Sequence, residues 1–245
     1  MRDLNKANEL FEQLHDKDIL KDDLELQAIM KNYIYGDVYQ HGTLDIKLRE
    51  LILIVVNTTN HTLSALKEHI IAAIKVGVSP IEVKEVIYQC TPYIGLGKVQ
   101  EALDVVNPVF KKYNISTKPQ STVCEETRFE KGFEVQSSAF GKDHIQAGHD
   151  QAPQELKHIQ NYLSEYCFGD FYTREGLDLK TRELMTMVML ATLGGCENQL
   201  RGHVGANITV GNSRELLIET ITQCQPYIGF PRTLNAIAII NEVTK

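Results

Sequence analysis

Residues 33–51 read YIYGDVYQHGTLDIKLREL, and residues 166–184 read YCFGDFYTREGLDLKTREL, at a constant offset of 133. Further along, QCTPYIG at 89–95 corresponds to QCQPYIG at 223–229 with an offset of 134. The second copy therefore contains one additional residue. This repeat is too long to be one unit of a solenoid, so it indicates a duplicated domain. The polar, proline-containing stretch 116–122 is typical of a linker. We predict two tandem domains, residues 1–118 and 119–245.

The apolar run LILIVV at 51–56 could form a strand or a buried helix, because a short apolar run has no diagnostic period. Its counterpart at 184–191, LMTMVMLA, is rich in good helix formers. Since one fold must suit both copies, we predict a helix in each, with Asp45 and Asp178 as N-caps. No segment shows the alternation of a half-buried strand. The predicted fold class is all-α.

Other helix boundaries follow from capping signals. A helix is expected from about His61 to Val76, and a second is expected to start at Ser79, where Ser-Pro-Ile-Glu has the form of a capping box. Pro92 and Pro226 are expected to end the helices that precede them.

Composition restricts the classes of partner. The chain has 245 residues, 43% hydrophobic and 23% charged, with a net charge of −7. This acidic balance argues against a nucleic-acid partner. The longest apolar run, 51–56, is too short to span a membrane, and the N-terminus does not resemble a signal peptide. Five cysteines without framework spacing favour free thiols. These features predict a cytoplasmic protein without a nucleic-acid or membrane partner.

Four side chains of the second copy form a candidate catalytic constellation. Cys196, Gln199 and His203 are spaced i, i+3 and i+7 on one predicted helix, and Glu183 lies on the preceding helix. The connection is short, so the two helices should pack side by side. A carboxylate that meets an imidazole can orient it for proton transfer. The alternative is a buried hydrogen bond with a purely structural role.

The first copy keeps part of this set. Glu50 and His69 occupy the matching positions and form a candidate second site, whereas Thr62 and Ala65 replace the cysteine and the glutamine.

The chain resembles the carboxymuconolactone decarboxylase family, which includes alkylhydroperoxidase-D-like proteins. The second copy carries the more specific motifs, GDFYTREGLDLKTREL, LATLGGCENQLRGHVGAN and QCQPYIGFPRTLNA, within residues 166–236. The first copy matches through GDVY, LDIKLREL, KEHIIAAIKVGVSPIEVKEV and PYIG. The resemblance implies helical units assembled in rings of six. A tandem chain would then form a homo-oligomer, a trimer that imitates the hexamer.

The resemblance also implies cofactor-free decarboxylation of a small carboxylated lactone, with no metal. It suggests His203 as proton donor and Glu183 as its relay partner, with Cys196 as a third candidate catalytic residue. Candidate substrate-binding residues are Gln199 and the arginines Arg182 and Arg201, which could hold a carboxylate through two hydrogen bonds. Arg232 is a further candidate for that role.

Two alternatives remain at this point. The peroxidase branch of the family uses a Cys-x-x-Cys pair, and here Gln199 replaces the second cysteine. A thiol-dependent peroxidase centred on Cys196 would therefore need an external reductant. The other alternative is a non-catalytic assembly protein whose sites have decayed.

Overall fold

The structure is a computed structural model that describes residues 2–16, 19–20 and 22–245. Within these residues the chain is mainly α-helical, with short π-helical and 3-10-helical segments, and no strand is present. The first half contains α1 (Leu4–Leu14), α2 (Leu24–Tyr33), α3 (Ile46–Asn60), α4 (Leu63–Lys75), α5 (Pro80–Gln89), α6 (Thr91–Ile94) and α7 (Leu96–Lys112). The second contains α8 (Arg128–Phe140), α9 (Lys142–Gln151), α10 (Lys157–Tyr162), α11 (Leu179–Leu193), α12 (Glu197–Thr209) and α13 (Arg214–Val243). The predicted all-α fold class is confirmed.

The apolar run that sequence alone left ambiguous lies inside a buried helix. Residues 51–56 belong to α3, and their counterparts belong to α11. As predicted, Asp45 accepts a hydrogen bond from the backbone N–H of Lys47, and Asp178 accepts one from Thr181. Both helices are buried along nearly their whole length, which explains why they lack a polar face.

Two predicted boundaries were wrong. His61 adopts a left-handed conformation (φ 62°) at the end of α3, so α4 begins at Leu63 rather than at His61. Pro226 does not end its helix: α13 continues through it and breaks at Gly229, where φ is 75°. Pro92 lies in the first turn of α6. Backbone N–H groups in the first turn have no intrahelical acceptor, so proline, which lacks this group, disrupts no hydrogen bond there.

A segment of π-helix follows α2 and α10, at Ile34–Val38 and Leu163–Tyr172. The repeated Gly-Asp-x-Tyr motif lies at the end of each segment, and Tyr39 directly follows the first one. Asp170 of this motif forms an ion pair with Arg128 at the start of α8. A Cβ atom on Gly169 would lie 2.3 Å from the carbonyl oxygen of Arg128, so only glycine permits this approach. The motif therefore docks α8 on the second repeat.

The two repeats share one hydrophobic core. α3 packs against both α11 and α13, while α5 and α6 pack against α11. Buried residues of both halves belong to one continuous cluster. Between α7 and α8, residues 113–127 form no helix and contain the predicted joint at 118/119. None of the described helices has the length and apolar composition needed to cross a bilayer.

Candidate active site

Glu183 and His203 meet between α11 and α12. The Nδ1 atom of His203 lies 2.7 Å from Oε2 of Glu183, whose side chain is fully buried, whereas the imidazole is 12% exposed. Asn207 fixes the spacing of the two helices, because its side-chain amide donates to the backbone carbonyls of Glu183 and His203. With Nδ1 bonded to the carboxylate, Nε2 is the ring nitrogen left for a ligand.

His203 forms part of the wall of a cavity of about 330 Å³, within the size range of small-molecule sites. Its wall is mainly apolar, with a few polar groups. The lining residues are Tyr93, Gln136, Phe140, His144, Ile145, Leu163, Phe168, Leu190, Gln199, Gly202 and His203. The rings of Phe140 and Tyr93 pack edge-on against the imidazole, with centroids 5.0 and 5.9 Å away. The imidazole is therefore held in one orientation at the cavity wall.

Tyrosine hydroxyls form a chain beside the histidine. The hydroxyls of Tyr93 and Tyr172 lie 2.9 Å apart, and that of Tyr172 lies 2.5 Å from Oγ1 of Thr186. The Cys167 thiol donates to the Tyr93 hydroxyl at 3.6 Å. Burial raises the pKa of Tyr93 and of Tyr172 well above the ordinary value, so both hydroxyls stay protonated.

Gln136, on α8, is held by a second polar chain. Ser164 donates to its Oε1 at 2.7 Å, and Nε2 of His149 lies 2.9 Å from the same serine hydroxyl. Because the amide oxygen is occupied, the amide nitrogen is the group that can donate to a ligand in the cavity. Sequence reasoning missed this residue and Phe140, since α8 lies outside the motifs that the two copies share.

Gln199 lines the cavity with His203, but Cys196 does not. Cys196 precedes α12 with non-helical backbone angles (φ −132°, ψ 43°), so the spacing rule that placed it on the helix face does not apply. Its thiol donates to the carbonyl of Leu190 at 3.3 Å and faces a separate space of about 20 Å³. Burial, and to a lesser extent the charge of Glu197, raises the pKa of this thiol. The structure thus separates Cys196 from the imidazole.

The candidate arginines lie elsewhere as well. Arg182 is fully buried, and its guanidinium bonds Glu85 at 3.1 Å and Gln89 at 3.0 Å, so the substrate-binding role predicted for it does not fit its position. Arg201 forms an ion pair with Glu242 on the surface, away from the cavity. The sequence suggested both residues only because arginine binds carboxylates. In the structure their guanidinium groups already pair with carboxylates of the protein, Glu85 and Glu242.

Arg232 donates to the side chain of Asn60 and borders the small space beside Cys196. Among the described residues that line the larger cavity, no arginine or lysine is present.

The first repeat contains the equivalent pair, with different surroundings. Nδ1 of His69 lies 2.9 Å from Oε2 of Glu50, and the Tyr39 hydroxyl donates to Oε1 of Glu50 at 2.8 Å. The corresponding oxygen of Glu183 is buried without a hydrogen-bond partner among the described residues. His203 is therefore the only described side chain that forms a hydrogen bond with the Glu183 carboxylate.

Each of these pairs receives a tyrosine from the other repeat. Tyr93 packs against His203, and Tyr227 packs against His69 with ring centroids 5.5 Å apart. Both tyrosines belong to the Pro-Tyr-Ile-Gly motif that the two copies share. Across the described ranges, no group of three or more His, Cys, Asp or Glu side chains is placed to hold a metal ion.

Both repeats of the chain are similar to known proteins. The model of the carboxymuconolactone decarboxylase family matches residues 25–108 and 157–242, one match in each repeat. The 4-carboxymuconolactone decarboxylase of Acinetobacter baylyi is 31% identical over 121 residues, which are 49% of this chain and 90% of that protein. An uncharacterized 15.0 kDa protein of Paracoccus denitrificans, from the nqo9–nqo10 intergenic region, is 36% identical over 82 residues, 33% of this chain and 61% of that protein.

The fold is also that of a known crystal structure from Burkholderia xenovorans, of a chain assigned as a gamma-carboxymuconolactone decarboxylase subunit. The two structures superpose with a TM-score of 0.57 at 16% identity, over 99% of this chain and 98% of the other. At this identity the likeness concerns the fold. The two family matches together span more than half of the chain, one on each repeat. The chain therefore belongs to the carboxymuconolactone decarboxylase family.

Proposed function

We propose that this protein is a carboxy-lyase that removes carbon dioxide from a small carboxylated lactone without a cofactor. The observation that carries the proposal is the Glu183–His203 pair, with a buried carboxylate behind an imidazole that forms part of the wall of a ligand-sized cavity. The Acinetobacter baylyi relative is named for a reaction of this class.

In the proposed reaction, the bond between the carboxylate carbon and the lactone breaks, and carbon dioxide leaves. The electron pair of that bond delocalises toward the lactone carbonyl. Nε2 of protonated His203 then gives a proton to carbon, and Glu183 balances the charge of the imidazolium through Nδ1. The amides of Gln136 and Gln199 can donate to the developing oxyanion.

The cavity holds the substrate carboxylate without an arginine or lysine from the described lining residues. A carboxylate in a mainly apolar cavity is stabilised less than in water, whereas neutral carbon dioxide is not penalised. This difference in stabilisation favours release of carbon dioxide from the substrate carboxylate. We therefore assign the substrate contacts to His203 and the two glutamines, in place of the predicted arginines.

The test is an ultraviolet assay of lactone decarboxylation with four variants. His203→Gln and Glu183→Gln should each lower kcat by about 100-fold or more, because a general acid contributes that factor. Cys196→Ser should retain most of the activity. His69→Gln is the matched control, since it removes the equivalent imidazole in the other repeat. An active His203→Gln enzyme together with an inactive Cys196→Ser enzyme would refute the proposal.

The alternative functions receive less support. A peroxidase centred on Cys196 needs an accessible thiolate, but the thiol bonds a backbone carbonyl and its pKa is raised. A purely structural Glu–His pair would be sealed from ligands, whereas His203 is partly exposed beside the cavity.

We also propose that the chain assembles as a homo-oligomer, a trimer of tandem chains. Large apolar side chains are exposed at equivalent positions of the two repeats, Leu26 and Ile29 on α2, and Ile159 and Tyr162 on α10. Exposed apolar faces of this kind mark interfaces between proteins. Light scattering should give three times the chain mass of 27.7 kDa, and the double variant Leu26→Glu/Ile159→Glu should dissociate it. A wild-type mass of one chain would contradict the proposal.

A further inference from the structure

His69, the partner of Glu50, borders a second cavity of about 210 Å³, which we name the His69 cavity. Most of its wall is apolar, and it includes residues from both repeats. The lining residues are Phe11, His15, Ile19, Leu20, Gln27, Met30, Lys31, Ile34, Tyr35, Ala65, Glu68, His69, Pro226 and Tyr227.

This cavity is not a copy of the one beside His203. Ala65 stands where the other cavity has Gln199, and Tyr35 stands where it has Phe168. The His69 cavity therefore lacks the side-chain amide that Gln199 offers to an oxyanion in the other cavity. It has instead the hydroxyl of Tyr35, where the other cavity has the phenyl ring of Phe168. The two cavities thus offer different hydrogen-bonding groups to a ligand.

His15 is the most distinctive residue of the His69 cavity. It is only 5% exposed, and its ring centroid lies 6.1 Å from that of His69, next to the imidazole as Phe140 is in the other cavity. Its Nε2 lies 2.6 Å from the Tyr35 hydroxyl, but its Nδ1 has no hydrogen-bond partner in the part of the chain that the structure describes. A buried polar atom of this kind is costly unless a ligand or water satisfies it.

The state of His15 restricts the charge of the ligand. Burial, and then the neighbouring His69, lowers the pKa of His15 to about 4, so the ring is neutral at neutral pH. Lys31 and Glu68 contribute one charge of each sign to the wall, and Lys31 lies 5.6 Å from the centre of the Phe11 ring. The wall therefore carries no net charge to attract a carboxylate.

Tyr227 adds a second free group. Its hydroxyl has no hydrogen-bond partner among the residues described, whereas the equivalent Tyr93 is bonded to Tyr172. The rings of His15 and Tyr227 both pack against the imidazole of His69, with centroids 6.1 and 5.5 Å away, so both residues lie beside the same part of the cavity wall. A ring-shaped ligand could contact both while its apolar faces meet Phe11, Met30 and Ile34.

We propose that the His69 cavity is a second ligand site, distinct from the decarboxylation site, which binds an uncharged ring compound of the lactone or phenol class through hydrogen bonds to His15 and Tyr227. This site does not depend on the reaction proposed for His203, because binding rather than turnover is its readout.

The probe for this site is 7-methoxycoumarin, a neutral fluorescent lactone, titrated into the full-length protein. The chain contains no tryptophan, so the fluorescence of the probe is read without a tryptophan background. One equivalent should bind. Ala65→Phe fills the His69 cavity and should weaken binding by about tenfold or more, which corresponds to 1.4 kcal/mol. The same variant should leave lactone decarboxylation unchanged.

Gln199→Phe, at the position equivalent to Ala65, is the matched control and should leave coumarin binding intact. His15→Phe keeps an aromatic ring but removes the free nitrogen, and should weaken binding by about tenfold if helical circular dichroism is preserved. The proposal is overturned if the wild type shows no saturable binding below about 1 mM. It is also overturned if Gln199→Phe weakens binding as much as Ala65→Phe does.

Discussion

The ring of Tyr93, in the first repeat, packs edge-on against the imidazole of His203 in the second, with centroids 5.9 Å apart. Tyr227 makes the reciprocal contact with His69. Each half of the chain therefore supplies part of the cavity wall of the other half. This exchange makes the two repeats one structural unit, although the sequence shows two copies.

Tyr93→Ala should lower kcat for lactone decarboxylation by about 10- to 100-fold, because small displacements of a catalytic group have effects of that order. The substitution removes one of the two rings that orient His203 and one partner of the Tyr172 hydroxyl. Steady-state kinetics would measure it. Tyr227→Ala deletes the same side chain from the other cavity and should leave kcat within about two-fold, since distant sites act independently. Equal losses in both variants would indicate a general effect on folding.

Arg182→Ala should destabilise the protein by about 3–5 kcal/mol, the usual effect of breaking a buried ion pair. The arginine and its partner Glu85 are both buried, and removing the guanidinium leaves the carboxylate with Arg174 alone. Urea unfolding followed by circular dichroism would measure the change. Arg201→Ala, which breaks an exposed pair with Glu242, should change stability little. A raised KM without a loss of stability in Arg182→Ala would instead support a role in substrate binding.

Cys196 should react with iodoacetamide at neutral pH more slowly than Cys124, which is exposed. The raised pKa of the Cys196 thiol keeps it protonated, and alkylation requires the thiolate. Peptide mass spectrometry after partial labelling would rank the two cysteines, and urea-unfolded protein would serve as the fully reactive control. Preferential labelling of Cys196, or its oxidation to sulfenic acid by one equivalent of peroxide, would revive the peroxidase alternative.

His15 should make stability depend on pH between about 6.5 and 4. Its folded pKa is lowered, so in this window the unfolded chain binds more protons than the folded one, and stability falls as the pH falls. The full effect is roughly 3 kcal/mol at most, because one pKa unit corresponds to about 1.4 kcal/mol. Urea midpoints from pH 7.5 to 4.5 should fall less steeply in His15→Phe than in the wild type. If the urea midpoints of His15→Phe and the wild type fall equally with pH, His15 does not cause this pH dependence.

Sequence reasoning succeeded where the two copies constrain each other or where the connection is short. The second copy of the LILIVV segment indicated a helix rather than a strand, because both copies must form the same buried element. The contact between Glu183 and His203 followed from two helices joined by a tight turn. These inferences use local geometry, which the order of residues determines.

The remainder of the site depends on geometry that spacing does not contain. Tyr93 reaches His203 only because the two repeats pack against each other. The spacing of residues within one helix does not say how the two halves of the chain are placed relative to each other. Gln136 and Phe140 lie on α8, which the repeated motifs do not include. Cys196 was misplaced because the i, i+7 rule assumes a continuous helix, whereas α12 starts one residue later.

The exchanged tyrosines also affect the order in which the protein can mature on the ribosome. The wall of the His69 cavity contains Pro226 and Tyr227, which lie more than 150 residues after the histidine they cover. The N-terminal helices can form as they emerge, but their cavity stays open on one side until α13 has been synthesised. Contacts this distant along the chain slow folding, so a ribosome-stalled fragment ending before residue 214 should expose apolar surface that chaperones recognise.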